Sequence, residues 1–216
     1  MNDLCLRFVV AGLVSVCGGC YSAPVRYYTL TPTPAKTLPA SETTLQIDVR
    51  IVHTPPQLNR AELMVRTGPT EITILENERW AAPLKDEIKD ALRLELQRRL
   101  ARMTGLGRAF GKLTLDIDVQ RLEAEVGRYA LFEVSWSATI SGPGQRSNRA
   151  QVTTCTFQAV EKIHTGYAGL IEGYQREIAA LADAIVSALT TPANDIDASC
   201  HKSIDGSAGG SGPNEH

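Results

Sequence analysis

Charge of one sign is what this 216-residue sequence lacks most plainly. Its 22 Lys and Arg face 24 Asp and Glu, leaving a formal net charge of −2 and a pI near 6.1. No basic field exists to gather nucleic acid, and both signs mix along the helical stretches as on a solvated surface. Histidine is scarce. His53, His164, His201 and His216 show no HxxxH or HExxH spacing, so zinc has no ligand set. GxSxG, Walker and GxGxxG patterns are absent. Asp116 and Asp118, with Glu123 and Glu125 beyond, lack a Gly-centred calcium loop and read as a solvated strand face. With no nucleophile–base pair and no metal spacing, the reading is a non-enzyme with no cofactor.

Long hydrophobic runs are missing too. Phe8 to Val16 is apolar but too short to span a bilayer, which takes about 20 residues. Placed after Arg7, it reads as a secretory signal. Gly18-Gly19-Cys20 fits the end of a bacterial lipoprotein signal. Small residues let the peptidase hold the chain extended, and the cysteine thiol takes a diacylglyceryl group. Cys17 departs from that pattern, standing where leucine is usual. An ordinary cleaved signal and an uncleaved anchor are the alternatives. Tyr21, not Asp, follows Cys20, so the inner-membrane retention signal of enteric-type bacteria is absent. The default destination is the outer membrane, facing the periplasm. After Cys20 only Cys155 and Cys200 remain. An oxidising compartment permits their pairing, but Cys200 lies in a polar tail, and the sequence leaves the disulfide open.

The chain is organised around the stretch Glu78 to Met103. Pro83 suits a first helical position, where a missing N–H costs nothing. Leu84, Ile88, Leu92, Leu96 and Leu100 then recur every four residues, with Ala91 and Met103 beside them, on one helix face. Lys85, Asp86, Lys89, Asp90, Arg93, Gln97 and Arg98 fill the other. Acid at the start and base at the end match the helix dipole, and Gly105 and Gly107 end the helix.

Around this helix the pattern alternates as strands do. Residues 20–41 read as the modified cysteine and a proline-stiffened tether holding one short strand, Arg26 to Leu30. Leu45 to His53 is a half-buried strand. Leu63 to Arg66 and Glu71 to Leu75 flank a Gly68-Pro69 turn. Leu113–Val119, Phe132–Ile140 and Ala150–Val160 form an antiparallel meander, with a bulge expected at Thr153-Thr154. Leu170 to Leu189 is a second amphipathic helix, stopped by Pro192. The division is therefore a signal peptide over 1–19, a tether over 20–41, one α/β domain over 42–191 and a disordered tail over 192–216.

Trp80 offers a large apolar area and one N–H donor. It either packs beneath the helix start or belongs, with Arg79, to a partner or lipid contact. Tyr129 and Leu131 are weaker candidates for the same role. Leu58-Asn59-Arg60 is the other segment carrying side chains suited to anchoring an interface.

Taken together, these pieces resemble the ABC-type transport auxiliary lipoproteins over roughly residues 20–190. The resemblance rests on the lipobox cysteine, Arg26-Tyr27-Tyr28-Thr29-Leu30, Pro56-Gln57-Leu58-Asn59-Arg60 and the Arg79–Leu84 run Arg-Trp-Ala-Ala-Pro-Leu, followed by the strands with Trp and the last helix. It implies a mixed β-sheet with two long helices, similar to the small α/β domain at the N-terminus of TolB. It also implies a non-enzymatic lipoprotein in the outer membrane that meets a conduit of the mammalian-cell-entry (MCE) class in an ABC-driven lipid-transport system.

Two functions follow from it: a docking subunit, self-associated as a ring matching the conduit's symmetry, or a periplasmic lipid-binding module. An envelope assembly factor of pilotin type is a third. Two helices on one sheet can fill their own interior, so no lipid-sized cavity, about 300 Å3 or more, is expected.

Overall fold

The computed structural model describes residues 23–33, 46–102, 111–141, 151–191 and 200–205. In chain order the elements are β1 (Arg26–Tyr28), β2 (Gln46–His53), a 3-10 turn (Pro56–Leu58), β3 (Glu62–Arg66), β4 (Ile72–Trp80), α1 (Leu84–Leu100), β5 (Lys112–Glu125), β6 (Tyr129–Ser141), β7 (Gln151–Lys162), α2 (Gly166–Thr190) and β8 (His201–Asp205).

The strands make two mixed sheets rather than the one expected. A three-stranded sheet has the order β1-β4-β3, and a five-stranded sheet the order β2-β5-β6-β7-β8. In the small sheet β1 runs parallel to β4 and β3 antiparallel to it. In the large one the β5–β6–β7 meander is antiparallel, and β2 and β8 flank it in parallel. Alternation explains the meander: Leu113, Leu115, Ile117 and Val119 face inward from β5, and Phe132, Val134, Trp136 and Ala138 from β6.

The helices cover that inward face. The predicted stripe of α1 is buried throughout, from Leu84 to Leu100, and five such aliphatic side chains stabilise the fold by roughly 1.5–3 kcal/mol each. Helix α1 packs on β2 and α2, and α2 on β6 and β7. Gly173 lets α2 come close: a Cβ there would lie 2.4 Å from the Ile163 side chain. Arg99 ties the helices together, donating to Asp183 at 2.5 Å and to the Ala179 carbonyl at 2.8 Å.

Several expectations need correction. Pro83 is the N-cap of α1, with extended backbone (ψ 133°), so its carbonyl accepts the first helical bonds from Asp86 and Glu87. The strand before the helix runs on to Trp80 instead of stopping at Leu75. No bulge occurs at Thr153-Thr154, because β7 pairs with β6 in unbroken register. The stretch read as a disordered tail contributes β8, and Cys200 beside it is bonded to Cys155. That link closes a 45-residue loop, worth on the order of 4 kcal/mol by chain entropy. Cys20, Leu45, Met103 and the Gly105-Gly107 helix stop lie outside the described residues.

Candidate docking groove

The Pro55-Pro56-Gln57-Leu58-Asn59-Arg60 segment folds into one tight turn. Proline at the first 3-10 position pre-sets φ. Leu58 N–H donates to the Pro55 carbonyl at 2.9 Å, Asn59 N–H to Pro56 at 3.1 Å, and Arg60 Nε to Gln57 at 3.0 Å. The turn points Leu58 inward and leaves Asn59 in solvent. The neighbouring residue holds the next part of the site: Trp80 N–H donates to the Ala61 carbonyl at 2.8 Å. That bond brings the end of β4 alongside the turn.

Trp80 is buried, its ring tilted against Tyr174 at 6.4 Å between centroids. The reading of Trp80 as packing beneath the helix start therefore holds, and its edge still borders the surface. Between the turn, the end of β2 and the Ala81-Ala82-Pro83 run lies an open groove of about 800 Å3. Leu58, Asn59, Arg60 and Trp80, four of the five candidate interface residues, line it together. Ile51, Pro56, Pro83 and Leu84 supply further apolar surface. The titratable residues on its walls are His53, Arg60 and Lys85; among the described residues no carboxylate lines it. The space of lipid size that the structure shows is this open groove at the surface, not a cavity in the interior that the expectation concerned. Two short connections leave a trough between the two sheets that a single sheet would not have.

Arg79 does not join them. Strand alternation turns it away from Trp80, and it donates to the Glu76 carbonyl at 3.2 Å and pairs with Glu62 at 3.5 Å. Tyr129 and Leu131 are strand residues and do not line the groove. The Tyr129 hydroxyl donates to Glu123 at 2.9 Å, and Leu131 is buried. Three of the four acidic candidates are paired with cations, while Asp118 has a buried carboxylate oxygen with no hydrogen-bond partner. Asp116 takes a two-pronged bond from Arg50 at 2.6 and 2.7 Å, Glu123 takes Arg66 at 2.9 Å, and Glu125 takes Arg128 at 2.5 Å. No group of three metal-ligating side chains occurs among the described residues.

Among the described residues three carboxylates are buried that the sequence reading does not single out as a site. Glu78 accepts from Arg26 and, at 2.6 Å, from the Tyr28 hydroxyl. Burial first, and this bond second, push the Tyr28 phenol up to about 12. Glu87 accepts from the Thr29 hydroxyl at 2.7 Å and the Leu30 N–H at 2.8 Å. Together they fasten the N-terminal strand to the wall behind the groove. Glu177 on α2 is fully buried, and neither carboxylate oxygen has a hydrogen-bond partner. Burial, and then the charge of Glu161, push it up to about 9 against the opposing Arg176 charge and a Glu161 backbone N–H that stands near the carboxylate but outside hydrogen-bond geometry. A signal did exist for two of them. Glu87 adjoins Leu84, Ile88 and Ala91, and Glu177 adjoins Tyr174, Ile178 and Leu181, so both lie on apolar helix faces.

Fold and groove define a small mixed α/β domain, held at its N-terminus by a clamped strand and presenting one open trough. The chain belongs to the family described as the ABC-type transport auxiliary lipoprotein component, whose model matches residues 28–186. No curated protein matches the sequence. Among solved structures, an uncharacterized protein is similar with a TM-score of 0.59 at 18% identity, over 78% of this chain and 100% of its own. A Xanthomonas campestris protein of the DUF330 family aligns at 19% identity and TM-score 0.47, over 77% of this chain and 91% of its own. The first of these likenesses supports the fold alone. No described helix is long and apolar enough to cross a membrane.

Proposed function

We propose that this protein is a non-enzymatic lipoprotein, anchored through Cys20 in the outer membrane on the periplasmic side, that docks the conduit of an MCE-type lipid-transport system. The observation that carries this reading is the groove. Two segments 20 residues apart, the Leu58-Asn59-Arg60 turn and the Trp80–Leu84 run, close one concave surface. Apolar floor and basic wall suit a protruding partner segment that carries apolar anchors and acidic side chains. Leu58, Trp80 and Leu84 on its floor are buried in the core, so the surface is firm enough to present its contacts without rearrangement. Self-association into a ring would multiply such contacts against a symmetric conduit.

The test is capture of the conduit protein encoded beside it, using the wild-type chain and Lys85→Glu. Lys85 is exposed, so its reversal leaves the fold intact. Docking through the groove predicts that Lys85→Glu lowers capture about tenfold or more, the scale of losing a close charge pair at an interface. Undiminished capture by Lys85→Glu together with Asn59→Asp removes the groove from the reading. Failure of the wild type to capture defeats docking itself. Light scattering tests the ring independently.

A second reading keeps its place because the groove is larger than the roughly 300 Å3 a lipid-sized site needs. Mass spectrometry of the chain extracted in mild detergent decides it: one phospholipid per chain, lost in Leu58→Asp, would favour a lipid-binding module.

A further inference from the structure

Large apolar side chains left in solvent gather in one part of the described structure. Val25 is 41% exposed, Tyr27 65%, Ile72 52% and Ile74 45%. Tyr27 lies in β1 and Val25 just before it; Ile72 and Ile74 lie in the first half of β4, the strand with which β1 pairs. Singly exposed apolar residues are ordinary, but a gathering of all of them on one strand pair marks a contact.

The direction of the chain says what the contact is. β1 runs parallel to β4, with Arg26 opposite Glu78. The chain therefore reaches β1 from the end where β4 begins, the end of the Gly68-Pro69 turn. From Glu78 back to Ile72 is six residues, about 20 Å of strand. From Arg26 back to Cys20 is also six residues, at most about 21 Å of chain by any path. β1 itself cannot swing away. Arg26 and Tyr28 are held by Glu78, Thr29 and Leu30 by Glu87, and Gln175 donates to the Thr29 carbonyl at 3.3 Å. A lipid on Cys20 is thus confined to a short radius that takes in the turn end of β4.

Among the described residues no unpaired cation draws this end to anionic headgroups. Glu71 and Glu76 are exposed there, Arg26 is engaged by Glu78, and Arg66 by Glu123 and the turn carbonyls. The contact is apolar, and Tyr27 combines an apolar ring with a hydroxyl that suits a water boundary.

We infer that Val25, Tyr27, Ile72 and Ile74 rest on the headgroup–acyl boundary of the leaflet that holds the Cys20 lipid. The inference builds on lipidation at Cys20. It fixes the orientation of the domain: the β1–β4 pair lies along the membrane, from Ile72 at the turn end to Tyr27 opposite Arg79, on the face that the β3 register (Met64 to Ile74, Glu62 to Arg79) assigns to both.

The test uses the full chain purified from membranes, with the mass of its N-terminal peptide establishing the diacylglyceryl group on Cys20. Ile74→Trp and Gln97→Trp are reconstituted in phosphatidylethanolamine–phosphatidylglycerol vesicles with brominated acyl chains, and quenching is read above the background of Trp80 and Trp136. Ile74→Trp should lose roughly half its emission or more, because an interfacial side chain sits about 5–10 Å into that boundary. Gln97→Trp, on the solvent face of α1, should lose far less. Salt raised to about 0.5 M should change neither, since it screens only charge attraction. Tyr27→Trp, a milder change, repeats the reading if Ile74→Trp folds poorly. A lipidated chain with equal quenching at both positions, or with none at Ile74→Trp, overturns the orientation and leaves the anchor standing. Loss of quenching accompanied by dimerisation would assign the patch to a second copy instead. A chain without lipid on Cys20 overturns the anchor, and the orientation with it.

Discussion

The region where the N-terminal strand meets β4 and α1 and the region where α2 meets the large sheet both bury carboxylates, and they treat them in opposite ways. In the first, Glu78 and Glu87 each accept hydrogen bonds from residues of one short segment, 26–30. In the second, Glu177 accepts none. Burial alone is the same kind of cost in both places. What differs is whether the backbone and side chains around the acid were arranged to answer it. The paired acids act as clamps, converting a three-residue strand with little core of its own into a fixed attachment. The unpaired acid attaches nothing and remains neutral at pH 7, because its environment raises its pKa to about 9.

The largest effect expected from this contrast is a gain. In the unfolded chain Glu177 ionises near its ordinary value of 4.5; in the folded chain it holds its proton to about 9. Folding at pH 7 therefore takes up a proton at a cost on the order of 3 kcal/mol. The sign follows directly. The penalty is absent below pH 4.5, grows as pH rises, and levels off above about 9, where both states are ionised. Glu177→Gln should raise stability by about that amount at pH 7 in a urea melt, and by almost nothing at pH 4. A gain that does not depend on pH would mean the acid is not neutral in the fold.

The same contrast explains how much could be read beforehand. The α1 stripe and the meander were legible because their burial follows local periods, four residues for Leu84 to Leu100 and two for Leu113 to Val119. The Leu58-Asn59-Arg60 and Trp80 segments could be singled out as interface candidates, yet their meeting could not. It rests on the backbone bond from Trp80, the last residue of β4, to Ala61, and no periodicity encodes a contact between a strand end and a turn. Arg79 stood next to Trp80 in sequence and was grouped with it, although strand alternation sends neighbours to opposite faces. The division into two sheets was hidden for a related reason. β1 and β4 pair across 52 residues, through buried acids whose partners lie in a segment that reads as a tether. β8 was hidden because a polar tail gives no strand pattern, and its place is fixed by the Cys155–Cys200 bond.

A loss of intermediate size tests the clamp on the helix side. Glu87→Ala removes the acceptor for Thr29 and leaves the buried Leu30 N–H without one. An unsatisfied buried donor costs about 1–3 kcal/mol, so stability should fall by roughly 2 kcal/mol. Hydrogen exchange at Leu30 should rise well beyond that global loss, because the segment would open locally. If exchange at Leu30 merely tracks the global change, the segment is held by packing of Leu30 alone, and Glu87 is no clamp.

The smallest effect concerns the clamp on the strand side, and it separates two causes acting on one phenol. Tyr28 is pushed up to about 12 first by burial and second by donating to Glu78. Glu78→Gln keeps the volume and the burial but removes the charge that the phenol would have to face on ionising. One hydrogen bond to a charged acceptor becomes a bond to a neutral one, so stability should drop by only about 1 kcal/mol. The spectroscopic titration of Tyr28 should move down from about 12 and stop above the ordinary tyrosine value of 10, since burial, the larger cause, is untouched. A phenol that stays at about 12 in the variant would show that burial alone sets it. Glu78 would then be held by Arg26 without acting on Tyr28, and the strand-side clamp would reduce to one ion pair whose arginine stands in solvent and which contributes little.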